Sequence, residues 1–236
     1  MKNIDPMNIE LFVADLETTV DDDAKNQTET ECWAAALCPV LERPEPSDVF
    51  VYNNIYNLID RILTFDDYTI TFFHNAKFDL SFILNVLDNQ YGYEPCYDPR
   101  VKEIEANGKV KLKYGQDWQL GMMPYSYKLS ISDMGQWYGC TINTGHSIIE
   151  IRDSAKKMPM TLKKIGEGFA TKYQKLDITY TGKRTAFGVI SDKEDDYIRN
   201  DVLILSEAMY KVWYDFGMTG VTIGSDCMTE FKRLVG

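Results

Sequence analysis

The stretch Ile9-Glu10-Leu11-Phe12-Val13-Ala14-Asp15-Leu16-Glu17-Thr18-Thr19 decides the fold. Its apolar run has the composition of a strand buried on both faces, as in the middle of a sheet carrying helices on each side. The run ends on Asp15 and Glu17, two residues apart, and in a strand residues so spaced share one face.

Downstream of this strand, Trp33–Leu37 and Asp48–Tyr52 predict two more, the first following an acidic turn at Asp21-Asp22-Asp23. Ile55, Leu58, Ile59, Ile62 and Leu63 fall at helical spacing. Tyr68–Phe73 alternates β-branched and aromatic residues and predicts a strand. His74-Asn75-Ala76-Lys77 then turns into a helix from about Asp79 to Leu87. The segment from Tyr91 to Tyr127 is rich in Gly, Tyr and Lys without periodicity, which predicts an elaborated loop or hairpin. Lys128–Asp133, Gln136–Ile142 and Ser147–Arg152 predict consecutive strands, with a turn at Asn143-Thr144-Gly145. Ser191-Asp192-Lys193-Glu194 is a capping box. The stripe Ile198, Val202, Leu205, Met209, Val212 and Phe216 follows it, and Gly217 supplies the stop. No repeat or linker interrupts the chain, so the expected fold is one α/β domain, a mixed β-sheet flanked by helices.

A chain of 236 residues supports one sizeable core or two small ones. With 44% hydrophobic and 26% charged residues it is not disordered. Its apolar runs are far shorter than a membrane span and no basic-then-apolar leader opens it, so neither membrane nor secretion is expected. Five cysteines without a metal-site spacing predict free thiols. The net charge of −11 argues against a protein that coats duplex nucleic acid by neutralising phosphates. Arg152 to Arg184 nevertheless carries nine basic and three acidic residues. Such a track suits either a grip on a few nucleotides of one strand or a solvated face.

Four carboxylates stand where their elements can point them to one centre: Asp15 and Glu17 at a strand end, Asp79 at a helix start, and Asp201 on the long helix. Tyr197 precedes Asp201 by four residues, so on a helix the two are neighbours. Carboxylates gathered together repel one another and take up protons unless cations neutralise them. Oxygen ligands of this kind suit magnesium or manganese. Two such ions about 3.5–4 Å apart clamp the attacking and leaving oxygens of a phosphodiester displacement.

The order D-x-E, Asn-x-x-x-Asp, Tyr-x-x-x-Asp resembles that of the DEDD exonucleases of the tyrosine subclass, which have an RNase H-like fold. Asp15-Leu16-Glu17-Thr18-Thr19, Phe73-His74-Asn75-Ala76-Lys77-Phe78-Asp79 and Tyr197-Ile198-Arg199-Asn200-Asp201 are similar to the three exonuclease motifs of protein-primed family B DNA polymerases. Ser132–Tyr138 and Thr222–Asp226 resemble segments of the same branch. The resemblance spans about Phe12 to Lys232. It implies that residues 1–236 form a single 3′–5′ proofreading exonuclease domain, with residues 92–127 a family-variable insertion. D-x-x-S-L-Y-P-like and Y-x-D-T-D-S-like polymerising segments do not occur in the sequence, so no polymerisation domain is expected in it.

The resemblance also implies roles. Asp15, Glu17, Asp79 and Asp201 hold two divalent metal ions (Mg2+ or Mn2+), Tyr197 orients the attacking water, and Lys175 supports catalysis. Thr18, His74, Asn75, Phe78, Phe82, Ser154 and Tyr180 contact the single-stranded DNA 3′ end. For several of these a packing role stands beside the binding one. Phe82 lies among Leu80, Ile83 and Leu84, His74 and Asn75 suit a strand-to-helix turn, and Lys175 suits a solvated face. Ala155 occupies a position where the family carries leucine. The implied partners are a polymerisation domain and the terminal protein that primes synthesis, and the implied location is the cytoplasm of a bacterial host carrying a phage or mobile element. Two other functions remain open. One is a non-catalytic docking module that binds single-stranded DNA or terminal protein, and the other is an exoribonuclease of the same fold.

Overall fold

The computed structural model describes Pro6 and residues 9–19, 30–96, 100–104, 110–114, 122–132, 134–178 and 184–235, with only the backbone described at 100–104 and 110–114. The expectations for Asp21-Asp22-Asp23, Asp133 and Tyr180 fall outside these residues.

In chain order the elements are β1 (Glu10–Thr18), β2 (Cys32–Pro39), β3 (Phe50–Tyr52), α1 (Ile55–Leu63), β4 (Thr69–Phe73), α2 (Lys77–Tyr91) and β5 (Glu94–Pro95). There follow β6 (Arg100–Ile104), β7 (Val110–Tyr114), β8 (Ser126–Ile131), β9 (Trp137–Asn143), β10 (Ile148–Asp153), α3 (Leu162–Phe169), α4 (Asp192–Tyr210) and α5 (Ile223–Val235). The main sheet runs β3-β2-β1-β4-β10-β9-β8-β5, and β6–β7 forms a separate antiparallel hairpin.

The sheet is mixed. β1, β4 and β10 are parallel, while β2 and β9 flank them in the opposite sense. The C-terminal ends of the three parallel strands therefore lie along one edge, where Thr18, His74 and Ser154 emerge. Ligands of open α/β sheets bind outside such carboxyl ends.

Alternation along β1 divides the core. Leu11 and Val13 face α3 and α4, joining Ile165, Ile198, Val202, Leu205, Met209 and Val212. Ala14 and Leu16 face α1 and α2, joining Leu58, Ile62, Leu80 and Ile83. Small residues along β2, Ala34 to Ala36, are all fully buried and let helices approach both faces. Gly139 is required where β9 passes β10, because a Cβ there would sit 2.1 Å from the Ile151 carbonyl oxygen.

Several sequence expectations need revision. α2 begins at Lys77, because Asn75 takes a left-handed conformation (φ 66°) that ends the turn early. The Ser191–Glu194 capping box is present, but the α-helical stripe does not reach Phe216. Residues Lys211–Asp215 form a π turn, with the Phe216 amide donating to the Lys211 carbonyl. That wider turn rotates the phase, leaving Phe216 60% exposed. The segment from Tyr91 to Tyr127 contributes β5 as an edge strand as well as the hairpin. α3 and α5 had no counterpart in the sequence reading. Cys32, Cys38, Cys140 and Cys227 are free thiols. Among the described residues, no helix is long and apolar enough to cross a membrane.

Candidate active site

Asp15 and Glu17 extend the Leu11–Val13 face of β1 to its end and so meet α4. There, carboxylate oxygens of Asp15, Glu17 and Asp201 all lie within 4.8 Å of one another. A bulge between Glu17 and Thr18 ends the regular pairing with β2. Asp79, in the first turn of α2, is buried and stands outside this triplet, yet it is close enough for its charge to act on Asp15.

The electrostatics are those of a site awaiting positive charge. Burial pushes the Asp15 carboxyl well above its ordinary range, and Asp201, Asp79 and Glu17 add to the effect. Burial likewise raises Asp79 to about 7, with help from Asp153 and Glu17. Asp201 is raised by burial although the neighbouring Lys175 pulls the other way. Its Oδ2 accepts from the Lys175 ammonium, whereas its Oδ1 is buried without a hydrogen-bond partner among the described residues. A buried carboxylate oxygen left without a donor is costly and fits a cation ligand. The donor set, all hard oxygens, fits magnesium or manganese.

Lys175, from the segment between α3 and α4, also donates to the Tyr197 hydroxyl and lies 4.0 Å from the centre of that ring. Burial works to lower the Lys175 ammonium, but the charge and hydrogen bond of Asp201, with Tyr197, outweigh it and hold the group protonated. Burial raises the Tyr197 phenol, so the hydroxyl keeps its proton.

A second group of residues lines the same edge beyond β4. The His74 Nε2 contacts the Met160 carbonyl at 2.8 Å, and its Nδ1 lies 2.9 Å from the Ser154 hydroxyl. Burial lowers the His74 pKa, which favours the neutral ring. A carbonyl only accepts, so Nε2 carries a proton, while the Ser154 hydroxyl beside Nδ1 also lies 3.1 Å from the Phe73 carbonyl, to which it donates. The Asp153 carboxylate receives the Asn75 and Ala155 amides at 2.9 and 3.0 Å. Ser154 is fully buried against His74. Asn75 and Thr18 are accessible, Phe78 is 51% exposed, and half-buried Phe82 packs edge-on against it with centroids 5.1 Å apart. Phe82 thus serves both core and surface.

Sequence reasoning missed Asp153. Its signal was its place at the carboxyl end of a strand, the same logic that singled out Asp15.

An RNase H-like α/β domain of the kind associated with DNA polymerases is the class that this fold and site define. The chain is homologous to phage DNA polymerases, among them that of phi29, a protein-primed family B enzyme, over 70–94% of its own length. It is 32% identical over 171 residues to the DNA polymerase of Bacillus phage phi29, covering 70% of this chain and 25% of the relative. To the DNA polymerase of Streptococcus phage Cp-1 it is 26% identical over 233 residues, covering 94% of this chain and 34% of the relative. The solved phi29 polymerase complexed with single-stranded DNA superposes with a TM-score of 0.73 at 26% identity, over 96% of this chain and 35% of that one. Its orthorhombic crystal form gives 0.74 at 26% identity, over 96% and 34%. The chain therefore spans about a quarter to a third of these relatives. No family model matches the sequence.

Proposed function

We propose that this chain is a proofreading 3′–5′ exonuclease domain of a protein-primed DNA polymerase, hydrolysing single-stranded DNA from its 3′ end with two divalent ions. The observation that carries this is the convergence of Asp15, Glu17 and Asp201 beside the unpartnered Asp201 Oδ1. Asp15, Glu17 and Asp201 would hold Mg2+ or Mn2+, with Asp79 completing a second site, and the ions would supply an activated water and support for the departing 3′-oxygen. Tyr197, its phenol kept protonated, orients the attacking water. Lys175 fixes both Tyr197 and Asp201. Phe78 offers a ring on which a base of the frayed end stacks, and Thr18, His74 and Asn75 line its path along the strand ends. Discrimination comes from fraying: a mispaired end unpairs at lower cost and reaches a single-strand site more often.

For the polymerisation domain, α5 is the natural contact. It buries no residue, and it presents Met228, Phe231 and Val235, each between 55% and 66% exposed, at helical spacing. Terminal protein is assigned to the same parent assembly, and the bacterial cytoplasm to its place of action.

The test is digestion of a labelled single-stranded oligodeoxynucleotide by this chain with and without Mg2+ or Mn2+. Metal-dependent release of mononucleotides from the 3′ end is expected. Intact binding without release would favour a docking module, and preferential digestion of an RNA strand would favour an exoribonuclease.

A further inference from the structure

The turn from β4 into α2 carries His74 and Asn75 and delivers Asp79, four residues after Asn75, to the carboxylate centre. Its own residues do little to fix it. Among the described residues no backbone hydrogen bond closes residues 73–76 on themselves, and the first to form runs from the Leu80 amide to the Ala76 carbonyl. Ala76 stands at the N-cap of α2 and offers no side-chain oxygen to the helix's first amides. Asn75 has a φ of 66°, a left-handed conformation that asparagine tolerates but does not enforce.

The hold comes from the place where β10 ends. β10 runs parallel to β4, with Asp153 level with Phe73, the last residue of β4. The Asp153 Oδ1 accepts the Asn75 amide at 2.9 Å, across 78 residues of chain, and the Ala155 amide at 3.0 Å. The Ser154 hydroxyl donates to the Phe73 carbonyl at 3.1 Å. Backbone groups on both sides of His74 are therefore held by two consecutive side chains from the neighbouring strand end.

Capping of the short Ser154–Lys156 turn accounts for the Ala155 bond alone. It does not account for a buried carboxylate set beside an acidic centre. Burial raises the Asp79 carboxyl and the Asp153 charge adds to the rise, so the two groups are near neighbours. Lys156 offers Asp153 an ammonium at 3.6 Å, beyond hydrogen-bond distance. A further negative group at this place works against the metal-free fold. What the carboxylate supplies is a strong acceptor, because a hydrogen bond to an ionised group is roughly twice as strong as a neutral one.

We propose that Asp153 is a positioning residue: by holding the Asn75 amide it fixes the start of α2, and so sets where Asp79 stands relative to Asp15 and Glu17 for completing the second metal site. Asp153 acts through Asn75 and α2 and is not itself a metal ligand, since its Oδ1 is taken by two amides. The proposal deepens the exonuclease reading and rests on it for the metal.

The test compares the whole chain with three variants. Asp153→Ala removes the acceptor, Asp153→Glu keeps the charge but moves it outward by one methylene, and Asp153→Asn keeps an oxygen in place without the charge. Hydrogen exchange in EDTA, read by mass spectrometry on the peptide spanning the turn and the start of α2, reports the hold without any metal. Exchange there should quicken about tenfold or more in Asp153→Ala and Asp153→Glu, as loss of a hydrogen bond to a charged group implies. It should change far less in Asp153→Asn, and peptides of α4 should exchange as in the wild type. Mn2+ uptake is followed by the electron paramagnetic resonance of the free ion. The wild type should take up two ions, and the weaker of them should lose about 10–100-fold in affinity in the alanine and glutamate variants, as outer-shell substitutions do, with the tighter unchanged. Should Asp153→Ala not fold, the glutamate and asparagine variants carry the same comparison. Unchanged exchange at the turn, an asparagine variant as impaired as the others, or quickened exchange with the weaker ion unaffected overturns the proposal. A wild type that takes up no manganese removes the nuclease reading, whereas quickened exchange confined to the turn then leaves the hold of Asp153 on α2 standing.

Discussion

Replacing Asp79 by asparagine removes one charge from the acidic centre while keeping the side chain's shape. In the metal-free protein, burial pushes Asp79 up to about 7 from an ordinary 3.8. A carboxyl raised in the folded state contributes stability that is complete below pH 3.8 and lost as pH climbs through about 7. At about 1.4 kcal/mol per pH unit, the raised carboxyl costs the fold on the order of 4 kcal/mol at pH 8, where it is ionised, and about 1 kcal/mol at pH 4.5, where it has taken up a proton that the unfolded chain would release. Asparagine escapes this cost. For a chain of this size each kcal/mol moves the unfolding midpoint by ~2–4 °C, so Asp79→Asn should melt roughly 8–16 °C higher at pH 8 but only a few degrees higher at pH 4.5. Thermal melts in EDTA at both pH values measure this. Millimolar Mn2+ at pH 8 should raise the wild-type midpoint and narrow the gap, because cations offset the same repulsion. Equal gains at the two pH values, or none at pH 8, would refute the assignment of Asp79 to a charge-strained site.

Other perturbations separate the parts of the molecule. Tyr197→Phe and Lys175→Ala should each slow single-strand digestion by about 10–100-fold, as loss of an outer-shell partner does, while Asp15→Ala should abolish it in a steady-state assay. Phe78→Ala should raise KM for a single-stranded oligonucleotide about tenfold with kcat unchanged, since it removes one stacking ring. Lys157 is buried, with its ammonium 2.6 Å from Asp226 and 2.8 Å from the Met218 carbonyl, tying the start of α5 to the Ser154 turn. Lys157→Met alone should cost about 3–5 kcal/mol in urea unfolding by stranding the Asp226 charge, and Lys157→Met with Asp226→Leu should recover most of it.

The strands and long helices were legible because each carries a one-dimensional signal: the buried run before Asp15, the alternation of Tyr68–Phe73, the spacing of Ile55–Leu63, the Ser191–Glu194 cap. The candidate carboxylates were legible because Asp15, Glu17 and Asp79 fall at the ends of such elements and Asp201 lies one helical turn after Tyr197. Other features had no such signal. Phe216 left its stripe because a π turn, invisible in composition, shifted the helix phase. The contact between Ser154 and His74, 80 residues apart in the chain, follows from β10 running beside β4.

The sequence by itself determined which groups the chain would offer, since period and composition place a residue on a face of its own element. Which faces meet was decided by the tertiary structure alone. β1 lies parallel to β4 in a mixed sheet, with α4 laid across it. Only that arrangement brings Asp201, 186 residues after Asp15 in the chain, within 4.8 Å of it and leaves one of its oxygens without a donor. Long-range contacts of this kind depend on packing two buried surfaces together, and no local pattern encodes their distance.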